Sequence, residues 1–197
     1  MRPWKPKQPV ELETERFRMV SLSRRAVVKA SLPWTADEEV MAAMEMRAGG
    51  WLRRRWRRRF PRFDDRKDFC LGILDKSDGH LLGYHTVHLA GDVAFIGVMV
   101  GDKAWWGRGA VAETRAELLR FLFEQAGAER VWGTPYGRNM PSIYNYQRLG
   151  FVYEGALRQH RKGRDGGRVD MPVFGLMRDE WLARQAARRE KLAKEGA

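Results

Sequence analysis

The stretch Val98-Met99-Val100-Gly101-Asp102-Lys103-Ala104-Trp105-Trp106-Gly107-Arg108-Gly109-Ala110-Val111-Ala112-Glu113 leaves an apolar run, crosses closely spaced glycines and resumes with helix formers. A strand, a loop carrying Gly107 and Gly109, and a helix opening near Ala110 would bring unpaired backbone N–H groups to the positive end of a helix dipole. Such a place binds phosphate. Glycine suits it because no side chain keeps an anion from the amides and because such turns often need positive φ. Arg108 can add a charge at the rim.

Phosphate-binding loops of several kinds compete for this pattern. Gly107-Arg108-Gly109-Ala110-Val111-Ala112 formally matches the dinucleotide fingerprint Gly-x-Gly-x-x-Ala. In that fold the glycines follow the first strand almost directly, whereas Gly101 to Trp106 intervene here and the preceding strands read as antiparallel hairpins. The ribose-binding acid should end the next strand, and Glu129 begins it. A nucleoside triphosphatase loop needs Gly-Lys-Ser or Gly-Lys-Thr at the helix start, but Gly109 is followed by alanine and valine. Both readings are excluded.

The remaining pattern resembles the GCN5-related N-acetyltransferase (GNAT) family, whose signature Arg/Gln-x-x-Gly-x-Gly/Ala lies between its fourth strand and long third helix. Ala104-Trp105-Trp106-Gly107-Arg108-Gly109 matches it except at Ala104, which removes one pyrophosphate ligand and none of the backbone amides. Ala94-Phe95-Ile96-Gly97-Val98 is similar to the fourth strand. Asn139-x-x-Ser142-Ile143 and Tyr146-x-x-x-Gly150-Phe151 are similar to the fourth-helix motif. Together with Trp106-Gly107-Arg108-Gly109, the segments Arg148-Leu149-Gly150-Phe151, Asp170-x-x-x-Phe174-Gly175-Leu176 and Glu180-Trp181 resemble the RimJ/RimL-type branch, over roughly residues 11 to 182.

The resemblance implies acetyl-CoA as co-substrate, with no metal. It places the pantetheine on the backbone of Val98, Met99 and Val100, and the pyrophosphate on Trp105, Trp106, Gly107, Arg108, Gly109 and Ala110, with Asn139 and Ser142 beside the cofactor. It also implies direct attack of an amine on the thioester. An alkyl amine has a pKa of about 10, so a base or a water chain must take its proton. The family's usual glutamate has no counterpart from Val93 to Val100, and Asp92 and Asp102 lie only at the ends. His160, beside Arg161, is the expected substitute, with His85 and His88 as weaker candidates because lone histidines on strands are more often structural. The oxyanion donor would be a backbone N–H near Val98 or Met99. For the departing thiolate, Tyr146 matches the family's usual acid and Ser142 the serine of the RimL-type branch; both hydroxyls stay open. Cys70, in an apolar strand pattern, reads as a buried structural thiol.

Several elements must position these groups. Residues 1–13 carry Pro3, Pro6 and Pro9 among charges and read as a loose arm. Arg16 to Val20 alternates as a strand, and Ser23 stands where a helix N-cap would. Thr35 to about Phe60 reads as helical, opening on a Thr35-x-x-Glu38 capping box and split at Gly49-Gly50. Segments near Phe69–Leu74, Leu81–Leu89 and Val93–Val100 form an antiparallel meander. The helix after Gly109 places Val111, Leu118, Leu119, Leu122, Phe123 and Ala126 on one face. A strand at Arg130–Thr134, a short helix at Pro141–Arg148, a strand from Gly150, a hairpin at Gly166-Gly167 with a return strand Val169–Leu176, and a basic helix from Arg178 follow. The expected fold is therefore α+β, a GNAT-like mixed, mostly antiparallel twisted sheet of about seven strands flanked by helices. The expected organisation is an arm at 1–10, one acetyltransferase domain at 11–182 and a basic tail at 183–197.

The 197 residues, 44% hydrophobic, suffice for one domain with a real core. A formal charge of +12 favours anionic partners. One cysteine allows no internal disulfide, and without a signal h-region or membrane span the expectation is a soluble, cytoplasmic protein, monomer or homodimer. In Trp51-Leu52-Arg53-Arg54-Arg55-Trp56-Arg57-Arg58-Arg59-Phe60-Pro61-Arg62, Trp51, Leu52, Trp56 and Phe60 would pack inward with the arginines in solvent. The rival reading is a non-catalytic adaptor in which the arginines meet RNA or ribosomal phosphates and the aromatics stack on bases. The resemblance places this segment and the arginine-rich final hairpin beside the acceptor, which suits an anionic amine (an acidic peptide, a carboxylated small amine or a nucleotide-linked amino sugar) and equally a ribosomal protein already surrounded by RNA; the alternative is that some of these arginines contact the 3′-phosphate of CoA.

Overall fold

The computed structural model describes residues 4–195; residues 1–3 and 196–197, the outer ends of the expected arm and tail, lie outside it. Along the chain run β1 (Glu11–Glu13), β2 (Phe17–Ser21), α1 (Arg24–Ser31), α2 (Glu38–Ala43), α3 (Arg53–Arg57), β3 (Asp68–Asp75), β4 (Leu81–Ala90), β5 (Val93–Val100), α4 (Ala110–Glu124), β6 (Arg130–Gly133), α5 (Met140–Arg148), β7 (Val152–Lys162), β8 (Arg168–Met177) and α6 (Arg178–Glu195). They build one eight-stranded sheet in the order β1-β2-β3-β4-β5-β6-β8-β7, in which only β5 and β6 pair in parallel. The expected α+β mixed sheet is present with one strand more than anticipated.

That extra strand comes from the segment expected to be loose. Glu11–Glu13 pairs with Arg18–Val20, and Trp4 packs edge-on to Phe121 at 5.4 Å. The partly buried indole of Trp4 and the buried Val10 anchor the two ends of an otherwise exposed stretch to the domain.

Both faces of the sheet are covered. Phe69, Leu71 and Ile73 of β3 pack in one cluster with Leu118, Leu119 and Leu122 of α4, each such side chain contributing about 1.5–3 kcal/mol by leaving water. On the other face Cys70, Tyr84 and Met99 meet Val27 and Val28 of α1, Val40 and Met41 of α2, and Trp56 and Phe60. Burial pushes the Cys70 thiol well above its ordinary range, so it stays protonated.

Two local expectations change. Asp37, not Thr35, caps α2, its carboxylate accepting from Glu39 and Val40 N–H at 2.9 and 3.1 Å. Thr35 lies in a preceding 3-10 turn with its hydroxyl bonded to Leu32 O, so the capping residue is the one whose carboxylate reaches the free amides. Leu52, expected inward, is 65% exposed because the helix opens only at Arg53, leaving Leu52 in extended backbone.

Candidate active site

The loop takes the anticipated form. Gly107 and Gly109 have φ of 73° and 77°, the left-handed region that disfavours any side chain, and Gly109 is the N-cap of α4 with no side chain capping it. The first-turn amides of a 15-residue helix therefore face outward without an intrahelical partner. Open space lies in front of Gly107, where a Cβ would meet nothing within 4 Å. The loop is braced from behind by residues that the sequence pattern did not single out. Arg16 Nη2 donates to Arg108 O at 3.0 Å and Arg16 Nε to Glu113 Oε2 at 2.8 Å, while Thr14 Oγ1 donates to Glu113 Oε1 at 2.6 Å. Trp105 packs edge-on to Phe17 at 5.0 Å, and the Trp106 indole donates to Val100 O at 3.1 Å.

The strands leading to the loop part. The β5–β6 ladder runs only from Val93↔Arg130 to Phe95↔Trp132, and past Gly133 the chain reaches Pro135, which has no N–H to continue it. From Ile96 to Val100, β5 pairs with β4 alone, leaving its other edge toward a cleft of about 380 Å³. Ile96, Gly97, Val98 and Met99 line this cleft together with Arg115, Asn139, Ser142 and Tyr146. Unpaired strand amides and carbonyls suit an extended amide chain, and the loop beyond suits its diphosphate, so the residues present fit a coenzyme A thioester.

α5 sets the hydroxyls. Asn139 caps it by accepting from Ser142 N–H at 3.0 Å, while its amide donates to Ala43 O at 3.0 Å, so both ends of that side chain already serve the fold. Ser142 and Tyr146, four residues apart, share a face, and both line the cleft. The Tyr146 hydroxyl donates to Ile96 O at 3.4 Å, a loose bond at the place where the strands part. Burial raises the phenol above its ordinary value and the nearby Arg115 charge opposes this. The phenol is therefore protonated, a donor at neutral pH.

Beneath β5 lies a buried polar layer. Thr114 gives its only proton to Ala110 O at 2.7 Å, so its oxygen must accept from His85 Nε2–H at 2.8 Å. Burial first, and then the Arg115 charge, push the His85 pKa down to about 3, and the ring stays neutral. Arg115 is 1% exposed, with its guanidinium 4.4 Å from the Tyr146 ring centroid.

On another side the cleft is walled by Trp56, Phe60, Phe63 and Tyr84, with Arg59 and Arg161 also in its lining. Trp51, Trp56 and Phe60 form an edge-to-face chain into the core, so two of the aromatics of the arginine run are buried, and the arginines face solvent. His88 and Asp68 also line this side; their strands place them opposite each other, with Nδ1 and Oδ1 2.8 Å apart. The sequence placed His88 behind His160 as a candidate, and only the β3–β4 register could have revealed its carboxylate. His160 is exposed on β7 and absent from the cleft lining, whereas Arg161 is present. A bulge between Leu157 and Arg161, with Gln159 at φ 50° and its N–H held by Asp170 Oδ1 at 2.7 Å, accompanies that arrangement. Among the described residues no group of three or more His, Cys, Asp or Glu could hold a metal ion, and no helix is long and apolar enough to cross a membrane.

The Acetyltransferase (GNAT) domain family matches residues 15–152. YokL of Bacillus subtilis (strain 168), an SPbeta prophage-derived uncharacterized N-acetyltransferase, is 36% identical over 75 residues, spanning 38% of this chain and 42% of that protein. A GCN5-related N-acetyltransferase from Brucella melitensis superposes with a TM-score of 0.72 at 21% identity, over 93% of this chain and 86% of that one. A GNAT-family acetyltransferase from Bacillus anthracis gives 0.70 at 17% identity, over 86% and 99%. The ribosomal-protein-S5-alanine acetyltransferase from Vibrio fischeri gives 0.71 at 17% identity, over 87% and 98%. These structural likenesses carry the fold. Because the matched domain runs from just before β2 to the start of β7, taking in the glycine loop, the parted strands and Tyr146, the chain belongs to the GNAT acetyltransferase family.

Proposed function

We propose that the protein transfers the acetyl group of acetyl-CoA to a primary amine by direct attack, as a RimJ/RimL-type enzyme of the cytoplasm. The observation that carries this reading is the Tyr146 hydroxyl at Ile96 O, where β5 leaves β6 and the cleft opens. The diphosphate rests on the amides from Gly107 into the first turn of α4, and the pantetheine runs along Val98–Val100. The amine nitrogen attacks the thioester carbonyl and forms the N–C bond, a β5 amide near Val98 or Met99 receives the oxyanion, and as the C=O bond re-forms the C–S bond breaks with its electron pair on sulfur. Tyr146 gives its proton to the leaving sulfur; Ser142, one turn earlier, is the second donor on the same face. The proton lost by the amine passes to His88, which lines the cleft and is oriented by Asp68, rather than to His160, which does not line it.

The acceptor carries an anionic group near its amine. Arg59 and Arg161 line the cleft, and neither has an acidic partner among the described residues. A protein N-terminus followed by an acidic residue, a carboxylated small amine and a nucleotide-linked amino sugar all satisfy this. The Vibrio fischeri protein of the same fold is named a ribosomal-protein-S5-alanine acetyltransferase, and alanine has no side-chain amine, which supports the first class. Burial of Trp56 and Phe60 argues against an adaptor that stacks them on bases.

The test is a screen of amines with acetyl-CoA, read by free-thiol release and by the melting temperature with CoA. The expected result is thermal stabilisation by CoA and turnover on an anionic amine that falls when Arg59 and Arg161 are changed to Gln. No shift at millimolar CoA, with no thiol release on any amine, would overturn the acetyl-CoA reading.

A further inference from the structure

We propose that Arg115 is the positioning residue of the acid: an unneutralised charge held against the Tyr146 ring, which makes the phenol able to give up its proton. This rests on the reading of Tyr146 as the proton donor. The observation is an anomaly of burial. Arg115 is 1% exposed, and its Nε and Nη1 have no hydrogen-bond partner. No carboxylate among the described residues bridges it, while its guanidinium lies 4.4 Å from the Tyr146 centroid and both residues line the cleft. Its neighbour His85 is neutral and already bonded to Thr114.

A buried cation with unpaired N–H groups is a cost to the fold, and an apolar side chain of similar volume would pack there more favourably. Lack of an acidic partner has a second consequence. A carboxylate would cancel the field of the guanidinium; without one, the field acts at full strength in a medium of low dielectric. The group that receives it is the Tyr146 ring.

The chemistry needs that field. As the C–S bond breaks, the electron pair stays on sulfur, the Tyr146 O–H proton moves to it, and a free thiol forms beside a phenolate. The phenolate regains a proton from solvent before the next turnover. Burial alone makes this phenol a reluctant donor to a thiolate whose conjugate acid has a pKa of about 8.5. A cation against the ring stabilises the phenolate more than the phenol, so it lowers the barrier for the transfer and does little for substrate binding.

The experiment measures kcat, KM for acetyl-CoA and melting temperature in Arg115→Met, Arg115→Gln, Arg115→Lys, Tyr146→Phe and the Arg115→Met/Tyr146→Phe pair. Arg115→Met should lower kcat by about ten- to a hundredfold, leave KM within about threefold of the parent, and melt no lower than the parent. Arg115→Lys should recover most of the loss, and the double variant should be no slower than Tyr146→Phe alone. Should Met at this position prevent folding, the uncharged Arg115→Gln carries the same expectation against Arg115→Lys. If Tyr146→Phe loses turnover while neither neutral variant does, or if the losses multiply in the double variant, the proposal is overturned and the reading of Tyr146 survives. A raised KM with unchanged kcat makes Arg115 a ligand of the donor and overturns it too. Full turnover in Tyr146→Phe removes the acid reading itself, and this proposal with it.

Discussion

Gly133 decides how close Tyr146 can come to β6. A Cβ there would lie 2.1 Å from the Tyr146 hydroxyl, 2.8 Å from Cζ and 3.0 Å from Cε1. Ordinary contact begins at 3.4 Å, so in Gly133→Ala the hydroxyl must retreat by about 1.3 Å, the difference between 3.4 and 2.1 Å. The ring has little freedom to do so. It stacks on Phe174 at 5.4 Å and 11°, meets Phe151 edge-on at 4.9 Å, and has Arg115 4.4 Å from its centroid. Overpacking of this kind costs about 1–3 kcal/mol, which for a chain of this size lowers the melting temperature by about 2–12 °C. A displacement of about 1 Å in an acid costs about a hundredfold in turnover. The assay is thiol release at saturating acetyl-CoA, with a melt on the same sample. In a Tyr146→Phe background the worst clash disappears with the hydroxyl, so Gly133→Ala should destabilise less and cost no further turnover. The reasoning is refuted if Gly133→Ala alone keeps kcat within about threefold of the parent, since the position of the hydroxyl would then not matter to the reaction.

Changing Gly107 to Ala forces an L side chain to φ of 73° and points its methyl into the open space before the helix. The protein should lose about 1–2 kcal/mol of stability, and CoA should stabilise it less than the parent in a thermal shift titration. His88→Ala and Asp68→Asn should each slow turnover at pH 7 by about 10²- to 10⁴-fold, with activity returning as pH approaches about 10, where the free amine deprotonates without help; a pH–rate profile parallel to the parent's would exclude the pair. His85 has a folded pKa of about 3 against an ordinary 6.5, so below 6.5 the unfolded chain binds a proton that the fold refuses. Its contribution is intact above pH 6.5 and falls as pH drops toward 3, by about 1.4 kcal/mol per unit. Urea midpoints at pH 7, 5.5 and 4.5 should therefore decline more steeply for the parent than for His85→Gln, and equal slopes would contradict the burial argument.

What was legible in the sequence is what local forces decide. A glycine with positive φ is chosen by the backbone at that residue, so the loop at Gly107 and Gly109 and the start of α4 at Ala110 followed from the residues themselves. The meander strands followed likewise from apolar runs bounded by short turn sequences, and β5 runs from Val93 to Val100 as read. The Asn139, Ser142 and Tyr146 spacing carried the family resemblance because a helix fixes which residues share a face.

Tertiary structure decided the rest. Arg115 lies on a helix whose other charged residues keep some exposure, and it is buried where α5 brings the Tyr146 ring over its guanidinium. Asp68 and His88 meet through strand register across twenty residues of chain, Trp4 finds its core site on α4, and β7 bulges at Gln159 before bringing Arg161 to the cleft. Spacing along a chain fixes backbone geometry over a turn or two. Burial, charge pairing and pKa depend on which distant segments exclude the same water, and that is set only when the sheet and its helices close around one cleft.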